Sequence, residues 1–268
     1  MLDRENRGIS VAVKKTSFEV LTYQNVLLDT SWNYENVRSP YTRIYIPLNG
    51  EGEVVVDGET HKLKKGKIYV IPTMTKFSYK TDNSLEKIYA HVYLSSENGT
   101  DVFWGVDKIL IFDDDENIAD RLLLLYDSDT INAVIETKEL LLSCLIKATK
   151  KNNVVLGEIK NYSPLVKNAI KHIKNNLSSS LSVKDVSEKL FISVIALQKR
   201  FKKEVGKPVG KFIDEMLMTS CAKELIKGKL NIGEISDKYG FCDRFYFSRK
   251  FTEFYGVSPK RYSKPTRT

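Results

Sequence analysis

The chain reads as an α+β protein: a β-sandwich or jelly roll with accompanying helices over residues 1–155, then an all-helical region with two helix-turn-helix units over 160–268. Three observations predict this. Short β-branched and aromatic runs broken by turn residues fill positions 18–94. Stretches free of proline and glycine, with apolar residues at helical spacing, follow them. One block of the final third then occurs twice.

In the first half, Tyr41–Leu48 and Glu51–Val56 are strand-like and are split by Asn49-Gly50, a hairpin signal. Asp57-Gly58 is a second such signal, ahead of a strand near His61–Leu63. Gly66 opens the run Lys67–Ile71, which Pro72 closes. Closely spaced short strands of this kind favour a sandwich or jelly roll. After the acidic run Asp113-Asp114-Asp115-Glu116, one or two helices are expected between Ile118 and about Lys150, the acids complementing the positive end of the first. Their apolar residues, among them Leu122, Ile131, Ile135, Leu141 and Ile146, either cover the sheet or form a dimer seam.

The polar segment from Lys150 to Ser163 marks the expected domain boundary. Ser163-Pro164 then has the form of an N-cap followed by proline at the first helical position. Further along the chain, Leu181, Val183, Ser187 and Lys189 recur as Leu230, Ile232, Ser236 and Lys238, at a spacing of 49. Ser193, Leu197, Phe201, Gly206 and Phe212 recur as Asp243, Phe247, Phe251, Gly256 and Tyr262, at a spacing of 50. One residue added near Gly240-Phe241 accounts for the change of spacing. Each copy holds a short helix, a tight turn, a capping residue (Ser193 or Asp243) and a longer helix ending before glycine.

In the longer helices Leu197 and Phe201, or Phe247 and Phe251, stand four apart and must face a core. That leaves Ile195, Gln198, Lys199 and Lys202 on the outer face of the first, and Arg244, Phe245, Ser248 and Arg249 on that of the second. Glutamine and arginine can make paired hydrogen bonds to adenine and guanine edges in the major groove. Between the copies, Pro208 to about Lys227 reads as a helix of roughly 25–30 Å, suited to holding two such helices near one turn of B-DNA apart. Charge agrees with this division: the net +8 splits into +13 from Lys160 onward and −5 before it.

The segment Ile232-Gly-Glu-Ile-Ser-Asp-Lys-Tyr-Gly-Phe-Cys-Asp-Arg-Phe-Tyr-Phe-Ser-Arg-Lys-Phe, closed by Tyr255-Gly-Val-Ser-Pro-Lys-Arg-Tyr262, resembles the signature of the AraC/XylS transcription regulators. The first copy is similar to the family more loosely, and the two together cover about 165–263. The resemblance implies two recognition helices in successive major grooves, with Ile195, Gln198, Lys199, Arg244, Phe245, Ser248 and Arg249 as base-facing candidates. Two positions depart from the family pattern. Leu217 or Met218 stands where the linker helix usually has arginine, and Ser263 replaces a usual terminal arginine.

Gly52–Gly58 and Leu63–Pro72 resemble the central strands of the family's cupin-like regulatory domain, which implies a small-molecule effector and a helical dimerisation segment. Strand alternation puts Arg43 and Tyr45 on one face, and Tyr89, His91 and Tyr93 on one face of the neighbouring run. These residues either line a polar pocket suited to a sugar or small acid, or form the solvated side of a sandwich.

A cupin-type enzyme with a nucleic-acid-binding tail is the alternative, and a regulator answering to a protein partner is another. Enzymatic cupins hold metal through closely spaced histidines. Here His61, His91 and His172 are scattered, so no metal, cofactor or catalytic residue is expected. Cysteines 144, 221 and 242 are too few and too far apart for a disulfide framework, although Cys242 at a turn is a candidate redox site. Residues 1–7 lack the apolar run of a signal peptide, and no stretch approaches the roughly 18 apolar residues of a membrane helix. The expected setting is therefore cytoplasmic. Expected partners are duplex DNA, a small-molecule effector and a second copy of the chain, with RNA polymerase a further candidate and no membrane.

Overall fold

A computed structural model describes residues 9–96, 101–156 and 162–263. The signal-peptide reading of residues 1–7 and part of the boundary segment, 157–161, lie outside them. After a short helix α1 (Ile9–Lys15), the described residues form nine strands: β1 (Ser17–Leu28), β2 (Asn33–Val37), β3 (Thr42–Gly50), β4 (Gly52–Val56), β5 (Glu59–Leu63), β6 (Lys67–Ile71), β7 (Phe77–Lys80), β8 (Leu85–Ser95) and β9 (Leu110–Asp113). They make two antiparallel sheets, β1-β8-β3-β6-β9 and β2-β7-β4-β5. The sandwich expected from the strand pattern is present.

One turn differs from expectation. Asp57 and Gly58 both take positive φ and close a two-residue hairpin between Val56 and Glu59, as the sequence signals. Asn49-Gly50 does not close a hairpin, because β3 and β4 belong to different sheets. Gly50 is instead the crossing point between sheets. Its φ is +78°, and a Cβ there would sit 2.2 Å from the Ser84 carbonyl oxygen. The same carbonyl accepts the Glu51 amide at 2.9 Å. The glycine therefore serves a backbone contact 34 positions away, which local turn chemistry does not reveal.

Next come two helices, α2 (Ile118–Tyr126) and α3 (Ile131–Lys151). Asp114 caps α2 by accepting the Ile118 and Ala119 amides at 2.7 and 2.9 Å. Asp113 and Asp115 pair with Lys67 and Lys151, and Glu116 with Lys147. Leu140, Leu141, Cys144, Leu145 and Ala148 of α3 pack with Ile44, Ile46, Ile88, Ala90 and Val92, the aliphatic face of the five-stranded sheet. Ile131, Val134, Ile135 and Ile146 of the same helix stay exposed. One helix thus covers the sheet and also carries a second, uncovered apolar side.

The second compact unit, which also takes in α1, is all-helical: α4 (Pro164–Asn175), α5 (Val183–Lys189), α6 (Val194–Val205), α7 (Val209–Lys227), α8 (Ile232–Lys238), α9 (Arg244–Tyr255) and α10 (Pro259–Ser263). Ser163 caps α4 and also bonds Glu204 of α6 through its amide and hydroxyl, at 2.8 and 2.9 Å. Helix α7 is buried at Val209, Phe212, Leu217, Met218, Cys221 and Leu225, positions that go all the way round it. Such a helix is a spine, not a surface element.

Candidate nucleic-acid interface and sandwich interior

The two copies fold alike. Helices α5 and α8 each begin with a reciprocal capping box, Ser182 with Asp185 and Asn231 with Glu234. Helices α6 and α9 begin at Ser193 and Asp243, and end at Gly206 and Gly256 in the left-handed conformation. Leu197 and Phe201 face one core and Phe247 and Phe251 the other, all four buried. Phe201 meets Phe212 of α7, while Phe251 meets Phe247, Tyr255 and Tyr262. The copies are joined by Ser179, whose amide donates to the Tyr239 carbonyl at 2.8 Å and whose hydroxyl donates to that of Gly240.

The added residue lies slightly later than the spacing suggests. Ile192 and Phe241 both donate to the carbonyl of the matching serine, Ser187 and Ser236. Phe191 and Gly240 before them both take positive φ, +54° and +68°. The copies therefore stay in step through Phe241, and Cys242 is the extra residue. Its thiol is exposed and donates to the Asp243 carboxylate at 3.5 Å.

Phe191 takes a left-handed conformation that its counterpart meets with glycine, and it is 95% exposed, so no packing repays the strain. Phe191→Gly is expected to stabilise the helical unit by about 1 kcal/mol. Thermal melting measures this, and an unchanged or lower midpoint would show that the ring supports the fold.

On the outer faces, Ile195, Lys199 and Lys202 are exposed, as are Arg244, Phe245 and Arg249. Gln198 is half-buried, and its Oε1 accepts the Val209 amide at 3.4 Å, at the start of α7 where Pro208 offers no side-chain cap. Ser248 is half-buried too, its hydroxyl donating to the Arg244 carbonyl at 2.7 Å. The Arg244 guanidinium lies over the Phe245 ring, and that of Arg249 near Tyr246.

Asp243 holds the start of α9 by accepting the Phe245 and Tyr246 amides at 2.7 and 2.8 Å. The Tyr246 amide first, then that of Phe245, keeps its carboxyl below the ordinary aspartate value. A depressed folded value gives stability that is present above the unfolded value and lost as pH falls through the folded one. Asp243→Asn, which can still cap but does not titrate, should flatten the acid side of the helical unit's melting-temperature profile. An acid limb unchanged by the substitution would assign it to other groups.

In the sandwich, Tyr45, Tyr89, His91 and Tyr93 are buried and Arg43 is half-buried. Cross-strand register sets Arg43 opposite His91, Tyr45 opposite Tyr89 and Pro47 opposite Lys87. Arg43 donates to Ser39 Oγ at 2.8 and 3.1 Å and to the Tyr45 hydroxyl at 3.0 Å, and it lies 3.4 Å from His91 Nε2. His91 stacks on Tyr41, and Tyr89 donates to Gln24 at 2.7 Å. Tyr93 stands at the far end of the same face, where burial, then Asp101, raises its phenol.

Lys87 is absent from the candidates that the sequence supplies, yet it is 1% exposed. Its ammonium sits over the rings of Tyr45 and Trp32, at 3.5 and 3.9 Å from their centroids. Strand alternation two positions before Tyr89 puts it on that face, so a signal for it exists. Burial, then the Arg43 charge, holds Lys87 well below the usual lysine value. Burial, then Arg43 and Lys87, does the same to His91. Among the described residues, no three His, Cys, Asp or Glu side chains converge as a metal site would require.

A helix-turn-helix domain family matches residues 186–265. The chain is 36% identical to the multiple antibiotic resistance protein MarA of Escherichia coli K12 over 90 residues, 34% of this chain and 71% of that protein. It is 25% identical to the Msm operon regulatory protein of Streptococcus mutans over 240 residues, 85% of each. The structure of ToxT from Vibrio cholerae superposes with a TM-score of 0.58 at 14% identity, covering 92% of this chain and 98% of that one. That last likeness is one of fold and extends over both units.

Proposed function

Because the chain belongs to the AraC/XylS family of DNA-binding transcription regulators, we propose that α6 and α9 read two successive major grooves on one face of duplex DNA. The observation that carries this is the pair of matching exposed faces tied to one buried helix, α7, by α6 directly and by α9 through α8 and α10. The 19 residues of α7 span about 28 Å, close to the roughly 34 Å of one B-DNA turn. Arg244 and Arg249 are suited to guanine edges, Ile195 and Phe245 to thymine methyl groups, and Lys199 and Lys202 to phosphates. Gln198 keeps its Nε2 donors, and Ser248 the acceptor lone pairs of its hydroxyl, for base readout while those hydrogen bonds stand. Footprinting on a bound duplex tests the geometry. Two protected patches on one face, about one turn apart, are expected, and a single patch would leave only one helix engaged.

The N-terminal sandwich is the effector domain in this reading, with Arg43, Tyr45, Tyr89 and His91 at its ligand site, Tyr93 at the margin, and a sugar or small acid as the ligand class. Effector binding acts by shifting the population of arrangements able to occupy both DNA half-sites. The uncovered side of α3 is the seam with a second copy of the chain. Ile131, 72% exposed, Val134, Ile135 and Ile146 fall in one stripe over about four turns, a surface poorly explained by a monomer. Ile135→Glu is expected to convert a dimer to monomer in sedimentation, with the sandwich still folded. A wild-type chain that sediments as a monomer at high concentration would remove the seam.

A further inference from the structure

Lys87, buried, and Arg43, half-buried, put two cationic side chains inside one sandwich, and this needs a physical reason because burying an unpaired charge is costly. Among the described residues, the Arg43 donors meet neutral groups: the hydroxyls of Ser39, Tyr41 and Tyr45, and the His91 ring. Among the described residues, Lys87 has no carboxylate and no hydrogen-bond acceptor, only aromatic faces. The two are linked through Tyr45, which meets Lys87 with its ring and Arg43 with its hydroxyl. They come from adjacent central strands, β3 and β8, so the pair is fixed by sheet register and not by a mobile loop. The usual solution for a buried cation is a carboxylate partner, and here aromatic rings stand in its place.

We propose that the sandwich interior binds a small-molecule oxyanion whose charge completes the Arg43–Lys87 pair and whose organic body lies against Trp32, Tyr41 and Tyr45. This rests on reading the N-terminal domain as an effector domain and narrows the ligand to the anionic class. A carboxylate and a phosphate monoester share the required chemistry: two or more acceptor oxygens with negative charge, matched to a guanidinium fork and an ammonium. The surrounding rings favour a ligand with a cyclic or apolar body over a bare inorganic ion. In the free protein, the uncompensated Lys87 works against stability, and the ligand relieves that cost.

The test is thermal melting of the full chain and of Lys87→Met, each with benzoate, glucose 6-phosphate, glucose, or sodium chloride at matched ionic strength. At least one of the two anions is expected to raise the wild-type midpoint by roughly 5 °C over chloride. That rise should vanish in Lys87→Met, which on its own should melt no lower than wild type. An equal rise in both proteins, or none with either anion, overturns the proposal. A rise with glucose alone overturns the anionic class while leaving the effector reading standing. If no probe acts and Lys87→Met melts lower than wild type, Lys87 is a structural cation held by its rings, and the effector reading loses its support as well.

Discussion

Phe251→Ala should cost the helical unit about 3–5 kcal/mol, the range for deleting a fully buried aromatic ring. The ring is 0% exposed and lies between α9 and the end of the helical unit, with Phe247, Tyr255 and Tyr262 at centroid distances of 4.7 to 5.7 Å. Those neighbours are themselves large and packed on one another, so the cavity has little means to collapse. A unit of this size has roughly 5–15 kcal/mol in total, so the substitution removes about a fifth of its stability at the least. Calorimetry should show the helical unit's transition falling sharply while the sandwich's transition stays in place. A loss below about 1 kcal/mol would mean that α9 is not seated on this aromatic cluster.

The second large effect is on recognition. Arg244→Ala removes an exposed guanidinium at the first turn of α9 without touching its buried face. If Arg244 makes a paired contact to guanine, its loss costs about 1–3 kcal/mol, or roughly 5- to 150-fold in affinity for the preferred site. Affinity for unrelated duplex should fall much less, because one phosphate-attracting charge among many is lost. Lys202→Ala should instead weaken both kinds of binding alike and lower the salt dependence by about one unit. Titrations of both variants over a range of salt separate the two roles.

Local chemistry explains why so much of the helical unit is legible in the sequence. Ser163-Pro164, Ser193, Asp243, Gly206 and Gly256 each start or stop a helix through contacts within a few residues, and those contacts form as the sequence implies. The repeat lets each copy check the other, and it misplaces the added residue only slightly because Phe191 hides the equivalence with Gly240. The sandwich is less legible, because strand partners are set at long range. Asn49-Gly50 has the residues of a hairpin but serves a sheet crossing against Ser84. Arg43, Tyr45, Tyr89 and His91 can be placed on shared faces by alternation, yet alternation alone does not say which side of a sheet is covered. Lys87 shows the same limit. A lysine in a strand ordinarily marks the solvent side, and here it marks the interior.

The most direct test is selection from a pool of random duplex DNA at moderate salt, with wild type and Arg244→Ala compared by sequencing. Two-helix readout predicts an enriched pair of half-sites about one helical turn apart, one of them relaxed by the substitution and the other kept. Binding with no enriched sequence, or equal relaxation of both half-sites, would contradict it.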